Sequence, residues 1–153
     1  WRQDDLDRVM PALLAAKTPH TGARLESKLA SDDRYTVIAD ATLYYRDALA
    51  RQLHSAGCEA PDASAPAAQW ILAALRAWGE IGMHRLEGDF AWIAWDAAES
   101  RLLAARDHAG TRPLFFASVG NGLAVSSLAR TLRRVAGVHE PASWARIASA
   151  PAM

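Results

Sequence analysis

Residues 88 to 96 read GDFAWIAWD, and no other stretch of the chain limits its possible folds as strongly. Residues 90 to 95 are predicted to form a strand, because aromatic and β-branched side chains favour an extended backbone. Both alternating faces of that strand are apolar, with Phe90, Trp92 and Ala94 on one and Ala91, Ile93 and Trp95 on the other. Such a strand has to be covered on both sides. This predicts a layered structure with helices outside and sheet inside.

Hydrophobic spacing and turn residues predict the other elements. A helix with Leu6, Met10 and Leu14 on one face is expected to end before Pro19. A stronger stripe runs from Trp70 to Trp78, with Ser64 as its expected cap. In chain order the predicted elements are a helix at 6–14, a strand at 34–39, helices at 46–56 and 66–78, strands at 90–95, 102–106, 113–118 and 123–126, and a helix at 128–135. The last two strands are expected to be joined by a hairpin turn at Gly120-Asn121-Gly122. The order predicts an α+β fold with four antiparallel strands in its second half.

The composition limits the classes of function. The 153 residues suit one domain with a single core. Lys plus Arg and Asp plus Glu each number 17, and no basic block occurs, so neither nucleic acid nor an anionic membrane is an expected partner. The longest apolar run is too short to span a bilayer, and the five histidines and one cysteine show no metal-ligand spacing. We expect a soluble, cytoplasmic protein without a metal site.

The residues that could carry chemistry are better explained by structural roles. Cys58 lies in a loop whose neighbours Glu59 and Asp62 disfavour a thiolate, so it is not an expected nucleophile. Asp96 and Asp107 each follow a strand, where a carboxylate usually accepts turn N–H groups or pairs with an arginine. Packing is favoured over a stacking platform for four tryptophans at predicted core positions, Trp70, Trp78, Trp92 and Trp95. By themselves, the residues predict an α+β domain without visible catalytic machinery.

A series of short motifs nevertheless resembles a known family. In chain order the motifs are Trp78-Gly79, Leu86-Glu87-Gly88-Asp89-Phe90-Ala91, Trp95-Asp96, Arg106-Asp107-x-x-Gly110 and Pro113-Leu114-Phe115. In this order and spacing they resemble the N-terminal domain of the asparagine synthetase family, which is a class II glutamine amidotransferase domain of the N-terminal-nucleophile (Ntn) fold. The resemblance covers residues 35–135 well and residues 8–20 weakly.

The resemblance implies both a fold and an activity. The implied fold is a four-layer α/β/β/α sandwich of antiparallel sheets, in agreement with the layers expected above. Active members of the family use an N-terminal cysteine to hydrolyse glutamine, an Asn-Gly pair as the oxyanion hole, and an Arg and an Asp to hold the substrate. The ammonia passes to a C-terminal domain that activates a carboxylate with ATP.

This sequence departs from that pattern at each feature of the glutamine pocket. The chain opens with Trp1, so the first strand and its cysteine are expected to lie upstream or to be missing. The Asn-Gly pair corresponds to Asp40-Ala41, the amine-binding Asp corresponds to Ala67, and Arg24 is the one candidate for the carboxylate-binding Arg. A carboxylate is an acceptor that would repel an oxyanion, so the glutaminase site is expected to be inactive.

The resulting hypothesis is a degenerate, non-catalytic scaffold domain of an ATP-dependent, amide-forming ligase. Within the family, the chain resembles β-lactam synthetases and, more closely, the cyclases that close the isopeptide ring of lasso peptides. Residues 1–139 would form the amidotransferase-like domain, and 140–153 would begin a connector to a synthetase domain that uses ATP and magnesium. That domain and a precursor peptide are the expected partners, and this chain itself is expected to hold no cofactor. The resemblance places near the interdomain interface a turn formed by Arg106, Asp107, Gly110 and Pro113.

Two other functions stay open at this stage. The chain could be the glutaminase domain of a true asparagine synthetase whose first strand lies upstream. It could also be a stand-alone module that binds a small molecule or a peptide in the degenerate pocket.

Overall fold

The computed structural model describes residues 28–119 and 122–136. These residues fall into two compact units. The first unit comprises residues 23–112, described from Lys28 onward, and the second includes 113–119 and 122–136. Both units combine helix with antiparallel sheet, so the chain has a mixed α/β structure.

The first unit is built on a four-stranded antiparallel sheet. Its strands are β1 (Leu29–Ser31), β2 (Tyr35–Leu43), β3 (Gly88–Asp96) and β4 (Arg101–Arg106), and they lie in that order across the sheet. The central pair is β2 and β3, which match over nine residues, from Tyr35 opposite Asp96 to Leu43 opposite Gly88. In the described part of the chain, β1 forms one edge of this sheet, with Lys28 before it and Asp32 after it.

Two helices cover one face of this sheet. They are α1 (Arg46–Ser55) and α2 (Ala67–Trp78). Helix α2 is the more deeply buried, because apolar side chains fill most of its circumference, and it packs against β2 and β1. The core between helices and sheet contains Val37, Leu53, Trp70, Ile71 and Trp92, each at most 2% exposed. The alternate face of β3, formed by Ala91, Ile93 and Trp95, is also buried.

A 3₁₀ helix, Gly79–Arg85, follows α2 and leads back to the start of β3. Gly79 ends α2 with a positive φ of 61°, a conformation that favours glycine. Gly82 lies against the backbone of α2, since a Cβ atom there would come within 2.6 Å of the Ala74 carbonyl oxygen. The glycines therefore allow this segment to pack closely on the helix that precedes it.

The second unit contains a hairpin and a helix. Strands β5 (Phe115–Val119) and β6 (Gly122–Ser126) pair antiparallel, with Val119 opposite Gly122. Helix α3 (Ala129–Ala136) packs against both strands and buries Leu132. The hydroxyl of Ser126 accepts a hydrogen bond from the Leu128 N–H at 3.0 Å, just before the helix begins.

Most of the predicted elements are confirmed, with β2 and β3 longer than expected. One capping prediction is wrong: Pro66 occupies the N-cap of α2, which has no side-chain cap, and the Ser64 hydroxyl instead donates to Asp62 at 2.5 Å. Ser64 lies two residues before the cap, beyond reach of the helix N–H groups.

The four strands predicted in the second half are present, in two separate sheets. The helix predicted at 6–14 and the turn at 120–121 lie outside the described residues. No helix in the described ranges is long and apolar enough to cross a membrane.

Candidate functional site

Asp40 projects from the face of β2 that is turned away from the two helices. In a strand, alternate side chains point to opposite faces. Ala39 and Ala41 pack with the core, so Asp40 points the other way, beside its cross-strand neighbour Ala91. The carboxylate of Asp40 lies 3.3 Å from the ammonium of Lys28, and both side chains are partly exposed. Lys28, the residue directly before β1, thus forms an ion pair with Asp40 across the edge of the sheet.

Ala41 and Ala67 lie on the opposite side of the sheet from Asp40. Ala41 is opposite Phe90 and packs against the core of the first unit. Ala67 is the first residue of α2, is 9% exposed and belongs to the same core. The structure therefore brings Ala41 and Ala67 into one packed core but leaves Asp40 on the other face. Arg24 lies outside the described residues.

The chemistry available at these three described positions is limited. Asp40 offers only acceptor oxygens when ionised, whereas stabilising an oxyanion needs N–H or O–H donors. Ala41 and Ala67 offer methyl groups, which neither donate nor accept. In the described part of the chain, no group of three or more His, Cys, Asp or Glu side chains could hold a metal ion. The assignment of these positions to a former glutamine pocket stays a prediction.

The turn after β4 is organised around the buried carboxylate of Asp107. One oxygen accepts bonds from the Thr111 N–H at 2.9 Å and the Thr111 hydroxyl at 3.1 Å. The other accepts bonds from the Phe90 N–H at 3.1 Å and the Arg112 N–H at 3.3 Å. Burial by itself would raise the pKa of Asp107, but these hydrogen bonds outweigh it and hold the pKa below its usual value. The sequence prediction that this carboxylate accepts turn N–H groups is confirmed.

Arg106 contacts the turn through packing, whereas its neighbour Asp107 contacts it through hydrogen bonds. Its guanidinium packs against Gly110, where a Cβ atom would come within 3.3 Å of it. Gly110 has a φ of 67°, so a positive φ and a close approach both favour glycine there. Asp107 takes its bonds from the backbone and Thr111 rather than from Arg106. Pro113, the fourth residue predicted at this turn, is exposed and is the first described residue of the second unit.

Asp96, at the end of β3, pairs with an arginine that the sequence did not reveal. Its two oxygens receive bonds from Nε and a terminal nitrogen of Arg34, each at 3.0 Å. The N–H groups of Ala98 and Glu99 also donate to it, at 3.2 and 3.4 Å. The bond from Arg34 is the largest cause of a lowered pKa at Asp96, and it outweighs the effect of burial. The antiparallel pairing of β2 with β3 sets Tyr35 opposite Asp96 and so brings Arg34 beside it, but that register could not be read from the sequence.

The four tryptophans and Cys58, which the sequence singled out, all lie in the first unit, where they are buried or half-buried. Trp70 and Trp92 are fully buried in the core, which confirms packing as their role, and their indole N–H groups find no partner in the described residues. Trp95 is buried as well, and Trp78 is half-buried at the end of α2. Cys58 is half-buried in the loop between the helices, where it packs against the core.

Comparison with known proteins gives one family and a set of relatives. A glutamine amidotransferase domain family matches residues 21–134. A putative glutamine-hydrolysing asparagine synthetase of Mycobacterium tuberculosis H37Rv is 38% identical over 99 residues, which cover 62% of this chain and 14% of that protein. Glutamine-hydrolysing asparagine synthetase 3 of Bacillus subtilis is 30% identical over 95 residues, which cover 62% of this chain and 15% of that protein.

Among solved structures, the chain is similar to a glutamine phosphoribosylpyrophosphate amidotransferase from B. subtilis, determined with ADP and GMP. The TM-score is 0.53 at 18% identity, over 71% of this chain and 25% of the other. This similarity supports a common fold with an Ntn-type amidotransferase. The chain spans about a seventh of the curated synthetases it matches, at 14% and 15% of their lengths.

Proposed function

We propose, from the premise that this chain belongs to the glutamine amidotransferase domain family, that it is a non-catalytic scaffold domain of an ATP-dependent, amide-forming ligase. The relationship to asparagine synthetases supports the ligase part of the proposal. The chemistry of the residues at the predicted pocket positions supports the loss of glutaminase activity. The chain matches 14% and 15% of the lengths of these relatives, and the ligase activity is proposed for the whole protein that contains it.

The observation that carries the proposal is the state of Asp40. A backbone N–H and an amide N–H₂ stabilise the developing negative charge in an active glutaminase, and removing one such donor slows acyl transfer by about 100- to 1,000-fold. At the corresponding position Asp40 presents a carboxylate, and Lys28 is paired with it at 3.3 Å. An ionised aspartate has acceptor oxygens and no donor. A second negative charge beside it would be disfavoured.

Ala67 also supports the loss of glutaminase activity, because it concerns how the substrate's amine would be bound. The family holds the α-amine of glutamine with an aspartate at this position, whereas here a methyl group is buried in the core. A free ammonium group has no carboxylate to meet at that point. Because Ala67 and Asp40 lie on opposite sides of the sheet, the two positions support the proposal separately, Asp40 through the missing oxyanion donor and Ala67 through the missing amine-binding acid.

The finer parts of the proposal concern the parent protein. We propose a lasso-cyclase-like ligase, in which the reacting amine comes from the substrate itself and the four-layer sandwich survives as a support. The C-terminal synthetase domain and a precursor peptide would be its partners, and the synthetase domain would hold ATP and magnesium, to which no residue of this chain is assigned. The turn of Arg106, Asp107, Gly110 and Pro113 would lie near the interface with that domain.

The direct test measures glutamine hydrolysis by the full protein that contains this chain. The protein is incubated with amide-labelled glutamine, with ATP present and absent, and labelled ammonia is measured; none is expected above the enzyme-free rate. Glutamine-hydrolysing asparagine synthetase 3 of B. subtilis serves as the positive control. Release of labelled ammonia above the enzyme-free rate would refute the proposal.

A truncated glutaminase is the main alternative, because the names of both curated relatives describe glutamine hydrolysis. The coding sequence upstream of Trp1 distinguishes the two functions. A start codon followed directly by a cysteine codon would favour the glutaminase, and any other residue there would favour the scaffold. A stand-alone binding module is a second alternative, and it would gain support if the gene ended near Met153 and the purified protein retained a ligand.

A further inference from the structure

A positively charged groove lies on the outer side of the first unit, away from the predicted glutamine-pocket positions. It has a volume of about 470 Å³. We call it the arginine groove and define it by its lining residues, Ala48, Arg51, Gln52, Ser55, Ala56, Trp78 and Arg85. Its volume falls within the roughly 300–1,000 Å³ that is usual for ligand sites. None of the lining residues is assigned a role in the proposed function.

The pattern of α1 explains why this groove is open. Leu49 and Leu53 point into the core and are buried. Residues 48, 51, 52 and 55 follow at i, i+3, i+4 and i+7, so they form a separate stripe on the helix surface. The wall opposite this stripe is formed by Trp78 at the end of α2 and by Arg85 at the end of the 3₁₀ helix.

The charged groups in the groove have the same sign. Arg85 lies over the ring of Trp78, with its guanidinium carbon 4.8 Å from the ring centre, and it donates to the Gln52 side chain at 3.1 Å. These contacts hold the guanidinium in place and leave other N–H groups of its fork available. The exposed side chain of Arg51 has no hydrogen bond or ion pair within the ranges described here. The lining includes no carboxylate.

We propose that the arginine groove binds an acidic peptide segment. A carboxylate side chain would meet Arg85 and Arg51, since a guanidinium fork matches a carboxylate with two parallel hydrogen bonds. An apolar side chain next to it would lie against Trp78 and the methyl groups of Ala48 and Ala56. With Arg51 and Arg85 beside the indole of Trp78, the groove suits a peptide in which acidic and apolar residues alternate.

The charge of the whole chain favours a peptide over other anionic partners. Its 17 basic and 17 acidic residues cancel and its sequence contains no basic block, which does not favour nucleic acid or an anionic membrane as the partner. A groove with two arginines suits one or two carboxylates. Because the groove is separate from Asp40, Ala41 and Ala67, its occupancy can be tested whether or not the glutaminase site is active.

The experiment titrates a probe peptide, acetyl-Glu-Leu-Glu-Leu-Glu-amide, into the full protein that contains this chain and measures the dissociation constant by calorimetry. Arg51→Glu should weaken binding by about tenfold or more, as expected for losing a charged hydrogen bond. Arg85→Gln should weaken it similarly. Arg51→Gln is the variant least able to disturb folding, because the Arg51 side chain has no partner in the described structure, and it should also weaken binding.

The matched control is Arg130→Gln, which removes an exposed arginine from α3 and should leave the dissociation constant unchanged. The peptide acetyl-Gln-Leu-Gln-Leu-Gln-amide should not bind. The proposal is overturned if the acidic peptide fails to bind, if Arg130→Gln weakens binding as much as Arg51→Gln, or if a short DNA duplex competes for the same residues more strongly than the peptide does.

Discussion

Asp96 and Asp107 are both buried carboxylates with lowered pKa values, but different donors stabilise them. Asp96 depends first on the guanidinium of Arg34, with two backbone N–H groups in support. Asp107 depends on backbone N–H groups and on the hydroxyl of Thr111, all neutral donors. A buried charge is tolerated when its hydrogen-bonding capacity is filled. Asp96 therefore holds the end of β3 mainly through an ion pair, whereas Asp107 holds the end of β4 through neutral donors alone.

Asp96→Asn should destabilise the protein. The amide replaces one acceptor oxygen with a donor that faces the Arg34 guanidinium, so a charged hydrogen bond is lost and two donors oppose each other. We expect the free energy of unfolding to fall by about 2 kcal/mol, as measured by urea denaturation at pH 7. Asp33→Asn is the matched control, because Asp33 is exposed and makes no side-chain bond in the described region. Equal losses in both variants would contradict this account of Asp96.

The residues of the candidate site show what a sequence can and cannot indicate. The order of the motifs led to the hypothesis that Asp40, Ala41 and Ala67 correspond to functional positions of a family, and that correspondence stays a prediction. It did not indicate that Lys28 would neutralise Asp40, because that pairing depends on the register of β1 with β2. It also did not indicate that Ala41 and Ala67 would share a core from which Asp40 is turned away. Side-chain direction follows from pairing, which is a property of the folded sheet.

At the scale of elements, the contact between β2 and β3 requires a glycine at its end. Gly88 lies opposite Leu43 and has a φ of 147°. A Cβ atom at Gly88 would overlap the carbonyl oxygen of Thr42 and would come within 2.9 Å of the Leu43 Cα atom. Both neighbours are backbone atoms, which cannot move aside as a flexible side chain could. Close approach of the two chains, together with the unusual φ, therefore excludes larger residues.

Gly88→Ala should be more harmful than an ordinary Gly→Ala change in a loop. We expect it to lower the free energy of unfolding by about 2–3 kcal/mol, as for overpacking of a core, measured by thermal or urea denaturation. Gly57→Ala provides the comparison, because Gly57 also has a positive φ, at 75°, but has no atom within 4 Å of the point that a methyl group would occupy. Backbone strain alone should cost roughly 1 kcal/mol there. A Gly88 variant no less stable than the Gly57 variant would exclude steric overlap as the cause.

The elements with a clear period were predicted from the sequence, and those without one were not. The stripe of α2 and the two apolar faces of β3 have strong periodic signals, and both elements are present. Strand β1 has only three residues, Leu29–Ser31, between polar neighbours, so no alternation could develop. The 3₁₀ segment, GEIGMHR, includes two glycines and follows a helix end, which indicates a loop by composition. Its helical turns depend on packing against α2, a tertiary contact.

At the scale of the whole molecule, the lowered pKa values make stability depend on pH. Asp96 and Asp107 bind protons more weakly in the folded than in the unfolded state. Their contribution is therefore fully present above the unfolded pKa of about 3.9. It is lost as the pH falls through their lower folded values. Stability should be nearly level between about pH 5 and pH 7 as far as these groups are concerned, and should fall steeply below about pH 4.

The measurement is the midpoint of thermal unfolding from pH 7 to pH 3. The double variant Asp96→Asn, Asp107→Asn should have a lower midpoint at pH 7 and a shallower decline at acid pH than the unchanged protein. Asp33→Asn should follow the unchanged protein throughout. Parallel curves for the double variant and the unchanged protein would show that other groups govern acid unfolding.

The fold class could be predicted from the sequence more readily than the pairing of the strands. Composition and periodicity predicted helices layered on antiparallel sheet, and the motif order agreed with the family whose model matches residues 21–134. The division of the strands into a sheet of four and a sheet of two could not be predicted, because strand partners are set by contacts distant in sequence. Asp96 and Arg34 illustrate the same limit, since 62 positions separate them in the chain.

The shortness of β1 affects how copies of this protein meet in solution. An exposed sheet edge is a template on which a strand from another molecule can add, which begins aggregation. Here that edge offers three residues, with a positive charge at Lys28 before it and negative charges at Asp32 and Asp33 after it. An incoming strand would gain few hydrogen bonds and would have to match both charges. Within the described residues, the β1 edge is therefore a weak template for a strand from a second copy.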